Sequence, residues 1–151
     1  MKLIPYERFS QLRLANFLPA AAHITEHGGF EWMGGTWRYE GIGFTWFGQL
    51  EDNPEGTGGI ELYFEELSEV ASSSILHAIG LPLAAGIGTE QLNAILGPNF
   101  QTVRFVDDRV SHVFRLGEPD VYEVSCTVSN EQGLVHVSII RNDLRRALAV
   151  A

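Results

Sequence analysis

From residue 102 onward the chain reads as four strand-like stretches joined by very short links, and this pattern limits the fold more than any other feature. The stretches are 102–106, 109–116, 121–128 and 134–141, and the links are Asp107-Asp108, 117–120 and 130–133. Links of two to four turn-forming residues cannot carry a crossover, so sequential strands must run antiparallel. Alternation then sets Val110, His112, Phe114 and Leu116 on one face, and Tyr122, Val124, Cys126 and Val128 on one face of the next strand. A meander with one apolar face needs a cover. A short helix just upstream supplies one, within the stretch 86–98. Thr89 is expected to cap its free N–H groups, and Glu90 places negative charge at the positive end of its dipole. Leu92, Ile95 and Leu96 share a face, and Gly97-Pro98 stops the helix.

The upstream part reads similarly. Residues 6–18 predict a helix stopped by Pro19, with Phe9, Leu12 and Phe17 among its apolar residues. A second short helix is expected over 19–27, ended by Gly28-Gly29. Stretches 30–33 and 36–39 around Gly34-Gly35 predict a tight hairpin, with Trp32 opposite Trp37 and Phe30 opposite Tyr39. Strands 44–50 and 59–65 follow across the loop 51–58, and Asn142 or Asp143 could cap a terminal helix through Ala149. The expected fold class is α+β: an antiparallel meander sheet packed on one face by short helices. It would form a single domain, 1–151, built of two similar αβ halves, 6–66 and 86–149.

Charge is the strongest functional signal. The net charge is −9, yet between Arg38 and Arg104 there is no Lys or Arg. That span holds nine acids, and the ten acids and ten bases elsewhere cancel. A phosphate backbone needs clustered Lys and Arg, so nucleic-acid binding is excluded as the expected role. The acidic segment points instead to a basic protein partner, engaged through Glu51, Asp52, Glu55, Glu61, Glu65, Glu66 and Glu69. The plainer reading is a solvated surface that keeps the chain soluble. At 151 residues, folding hides roughly 70% of the unfolded surface, enough for a core without staples. A single cysteine rules out an internal disulfide framework. No apolar run approaches the roughly 18 residues of a membrane span. Residues 14–22 imitate a secretory core but are broken by Asn16 and Pro19, so the expected location is cytoplasmic.

Seven aromatics between Phe30 and Phe47 are interleaved with glycines. Aromatic stripes are usually core, since they are the largest apolar groups available. If they opened to solvent, Trp32, Trp37, Tyr39 and Trp46 beside Glu40 would attract a small organic cation. Three sites for chemistry are weaker. His23-Ile24-Thr25-Glu26-His27 has the order of an inverted zinc-peptidase motif, which on a helix would stack His23 over His27, but a third ligand is missing and no metal is expected. The loop from Glu51 resembles a calcium loop until Leu62 occupies the twelfth position, where a bidentate Glu is required. Cys126 alternates with core residues and reads as a buried thiol. No catalytic set emerges and no cofactor is expected, so the predicted activity is binding without catalysis.

The segment Gly86, Gly88, Thr89, Leu92, Leu96, Gly97 and Pro98, followed by twisted strands up to Arg141, resembles the modules of outer-membrane-assembly lipoproteins and β-lactamase-inhibitor-protein-like domains. The likeness spans about 55 residues and its motif mainly encodes helix ends. The small acidic chain is also similar in style to bacterial immunity proteins. Both resemblances imply a non-enzymatic binder of another protein.

Overall fold

A computed structural model describes residues 1–12, 17, 24–27, 36–39, 44–48, 57–66 and 69–143. In chain order the elements are α1 (Tyr6–Ser10), β1 (Ile24–His27), β2 (Thr36–Tyr39), β3 (Phe44–Gly48), β4 (Thr57–Tyr63), α2 (Glu69–Ile79), α3 (Thr89–Leu96), β5 (Gln101–Val106), β6 (Arg109–Leu116), β7 (Tyr122–Ser129) and β8 (Gly133–Arg141). The fold class is α+β. All eight strands form one antiparallel sheet in the order β1-β2-β3-β4-β8-β7-β6-β5. Two four-stranded meanders therefore meet through their last strands, where β4 pairs with β8 over Gly59↔Ile140 to Tyr63↔His136.

The second meander follows from its sequence: β-branched and aromatic residues alternate with polar ones, and each turn is too short for anything but a reversal. Register rows then sort the side chains. Leu62, Val137, Cys126 and His112 stand in one row, and Ile60, Ile139, Val124 and Phe114 in the next. These residues, His112 apart, make a single apolar cluster with Phe9 of α1, Ile75, Leu76 and Ile79 of α2, and Leu92 and Leu96 of α3. The described helices thus cover one face of the sheet. Each fully buried Leu, Ile or Phe contributes about 1.5–3 kcal/mol by leaving water.

Residues 4 and 6 are fastened to the end of α2 and to the start of β7, while Leu12 O accepts from the Thr57 hydroxyl of β4. Ile4 N–H donates to Ile79 O at 3.1 Å, and the buried Tyr122 hydroxyl donates to Ile4 O at 2.7 Å. Tyr6 N–H donates to Asp120 Oδ2 at 2.8 Å, its hydroxyl donates to Val121 O, and its ring meets Tyr122 edge-on at 5.3 Å. Gly80 lets this strap pass: its φ is +94°, and a Cβ there would lie 2.1 Å from Lys2 O. With Phe9 buried 5.1 Å from the Tyr122 ring, the two halves share one core.

Several upstream expectations are corrected. The helix expected over 6–18 is one turn and a half, Tyr6–Ser10, closed at Gln11. The stretch 24–27 is a strand, not part of a helix: Ile24 and Thr25 are β-branched, and pairing with β2 outweighs the helix propensity of the upstream alanines. The tight hairpin at Gly34-Gly35 is replaced by β1–β2 pairing with His27 opposite Thr36. A strand has only two edges, and Trp37 faces Glu26 on one and Trp46 on the other, so Trp32 is not its partner. Tyr39 likewise stands between Ile24 and Phe44, not opposite Phe30. Helix α2 was not anticipated. Gly88, not Thr89, is the N-cap of α3; Gln91 Oε1 accepts from Gly88 N–H at 3.1 Å. Asn142 and Asp143, where the terminal helix is expected to start, are helical; the rest of that helix, the first part of the 19–27 helix and the loop 51–56 lie outside the described residues.

Candidate functional site

The face of the sheet opposite the helices is polar, and its composition follows from the same alternation. One row crosses Tyr63, His136, Thr127, Ser111 and Val103; the next crosses Glu61, Ser138, Ser125, Val113 and Gln101. Hydroxyls from three strands thus form its floor. Ser111 and Thr127 are only 1% and 6% exposed, and their hydroxyls bond each other at 2.7 Å. That pairing is what makes burying two polar groups tolerable.

Around this floor stand the charges. Arg109 Nη2 meets Glu65 Oε1 at 2.9 Å across the β7–β8 end of the sheet. His136 Nε2 lies 3.3 Å from Glu61 Oε1, close enough for an ion pair when protonated, although the angle makes no hydrogen bond. Tyr63 completes the group: its hydroxyl donates to Glu61 Oε2 at 3.4 Å and its ring lies 4.7 Å from the His136 imidazole. Glu123 and Arg115 face each other one row further. Arg115 also extends its guanidinium over the half-exposed Phe100 ring at 4.2 Å.

The residues singled out from sequence divide among several places. Glu61 sits on this polar face, Glu65 at its edge, Glu66 exposed in the turn after β4, and Glu69 exposed in the first turn of α2, where it complements the dipole. Glu51, Asp52, Glu55, Glu40, Trp32 and His23 lie outside the described residues. Trp37 and Trp46 are register neighbours in β2 and β3, and their row continues into Ile60 and Ile139, both fully buried. Because 24–27 is extended, the one-turn spacing that would stack His27 over another imidazole is not available there. Among the described residues no group of three His, Cys, Asp or Glu could hold a metal, and no helix is long and apolar enough to cross a membrane.

His136 and Tyr63 were not picked out from sequence. Each is unremarkable alone; the signal is their place in the polar phase of β8 and β4, visible only once β4 is known to pair with β8. Two titratable groups instead belong to the helix side. Burial pushes the Cys126 thiol up to about 12, so it stays protonated and inert. Burial lowers the His112 imidazole below its ordinary value, which keeps it neutral near pH 7. A shallow open depression of about 410 Å³ lies between the start of α3 and the β7–β8 turn, lined by Gly86, Thr89, Ser129 and Gln132 among others.

No family model matches the chain, and no curated protein matches it. Among solved structures it is similar to a DUF4309 family protein (YjgB) from Bacillus subtilis subsp. subtilis str. 168. The TM-score is 0.41 and the identity 15%, with 82% of this chain and 68% of that chain covered.

Proposed function

We propose that the chain is a non-enzymatic, acidic binding protein of the immunity or inhibitor kind, which docks a basic protein partner on the polar face of its sheet. The observation that carries this reading is the position of Glu61 and Glu65 on and beside a face on which no described helix packs, with Glu66 exposed next to them. The row of hydroxyls and the Tyr63 and His136 rings beside it suit a protein-binding surface, where aromatic and charged groups surround small residues. The acidic excess of 40–90 supplies the long-range attraction that would steer a cationic surface toward it.

The test is affinity capture with the full chain as bait, quantified by mass spectrometry across a salt series. The expected result is one dominant basic protein whose recovery falls between 50 and 500 mM NaCl, as exposed charges become screened within about 10 Å or less. Reversing Glu65→Lys and Glu66→Lys together should cut recovery about tenfold or more. Recovery indifferent to salt and to both reversals would defeat the reading.

A further inference from the structure

His112 ties both ends of α3 to the sheet through a chain of hydrogen bonds. Asn99, in the connection that leaves α3, donates through Nδ2 to Gln101 O at 3.0 Å and to Thr102 Oγ1 at 2.8 Å. A carbonyl can only accept, which fixes the amide's orientation. Beyond it, Thr102 Oγ1 lies 3.4 Å from His112 Nδ1. On the other side of the ring Nε2 lies 3.4 Å from Thr89 Oγ1, on the first residue of α3, so the neutral imidazole can donate to one threonine hydroxyl and accept from the other. One neutral imidazole therefore links the entry of the helix, its exit and strand β5.

We infer that His112 is a proton-operated latch on α3: a second ring proton makes both nitrogens donors, reverses the one threonine hydroxyl that donates to the ring, and loosens the helix from the sheet. Three conditions oppose a second proton on the closed latch. The threonine hydroxyl that donates to the neutral ring would have to turn its proton away. The imidazolium would stand at the positive end of the α3 dipole. The ring is only 9% exposed, and burial alone lowers its proton affinity. Among the described residues no nearby carboxylate offsets them. On β7 the facing titratable group is Cys126, whose buried thiol is neutral; on α3 the nearest acid, Glu90, is exposed; on β5 the nearest charge on this face is Arg104, also exposed; on β6 the flanking residues are Val110 and Phe114.

The consequence is graded. In the open latch the imidazole is solvated and binds protons near its ordinary 6.5, so acid favours opening. The opening equilibrium of α3 should rise by up to tenfold per pH unit below that value, the limit for one proton. Opening would uncover Leu92 and Leu96, both buried against the core.

Hydrogen exchange on the full chain between pH 7.5 and 4.5, corrected for intrinsic exchange, tests the latch. Amides of Leu92 to Gly97 should lose protection as pH falls, while those of β7 keep theirs. His112→Gln should flatten the α3 response. A proton NMR titration of the wild-type His112 ring should share its midpoint with the α3 response, and this holds the test if the variant does not fold. The latch is overturned if α3 and β7 lose protection together, if His112→Gln keeps the wild-type slope, or if the ring titrates without any change in α3.

Discussion

The two faces of the sheet are made by the same strands and behave as different materials. On the helix side, Ile139, Val124 and Phe114 interlock with three helices at 1% exposure or less. On the other side, one residue along each strand, Ser138, Ser125 and Val113 stand in the adjacent row beside Glu61. Stability is concentrated on the first face, where removing atoms leaves a cavity. The second face mixes buried Ser111, Thr127 and Val113 with half-exposed Ser125, Ser138 and Glu61, and at its half-exposed positions a side chain can change with little effect on folding. A binding surface can diversify there without unfolding the protein that carries it.

Neighbouring substitutions on β8 would break this contrast most directly. Ile139→Ala should lose about 2–5 kcal/mol in urea unfolding, because a fully buried branched side chain is replaced by a void. Ser138→Ala should stay within about 0.5 kcal/mol, and equal losses at the two positions would refute the division. Gly133→Ala is next. Gly133 has φ +73°, and an added Cβ would lie 2.2 Å from Gly86 O, where 86–87 pairs with the start of β8 through Gly86 N–H to Leu134 O and Leu134 N–H to Ile87 O. We expect a loss of about 1–3 kcal/mol, read as a lowered unfolding midpoint. Tyr122→Phe keeps the buried ring but leaves Ile4 O without its donor at 2.7 Å, a loss of about 1–2 kcal/mol in the same assay. Smallest is Glu65→Gln. Its pair with Arg109 is roughly two-fifths exposed on both sides, so thermal unfolding should shift by less than about 1 kcal/mol, and less still in high salt.

Acid provides one further contrast. His112 takes up its proton less readily folded than unfolded, so the unfolded chain binds more protons below about 6.5 and stability falls with acidification. Its contribution is complete above that value and is lost as pH drops toward the folded group's lower one. Urea midpoints measured from pH 7.5 to 5 should decline in the wild type and decline less in His112→Gln.

The second meander was legible because its information is local. Alternation, turn residues and the Gly97-Pro98 stop all act within a few residues, and β5 to β8 begin and end within two residues of the expected limits. Helix α2 was missed because Ser72, Ser73 and Ser74 weaken its propensity and no strong cap opens it, although Ile75, Leu76 and Ile79 lie at helical spacing before Gly80. The 19–27 helix failed for the opposite reason: local propensity was read where strand pairing decides. The acidic residues of the candidate site were visible as composition. Their positions were not, since Glu61 comes to His136 and Glu65 to Arg109 only by folding.

Composition and periodicity alone determined an antiparallel α+β chain with one apolar sheet face and an acid-rich middle. Side-chain alternation and short links are properties of the covalent sequence, so they survive any arrangement of the elements. Tertiary structure decided that β4 seals against β8, that the first residues strap onto Tyr122, and that His112 joins α3 to β5. Each of these is a contact between residues 10 to more than 100 apart along the chain, fixed by which apolar faces must be buried together, and no local pattern encodes that.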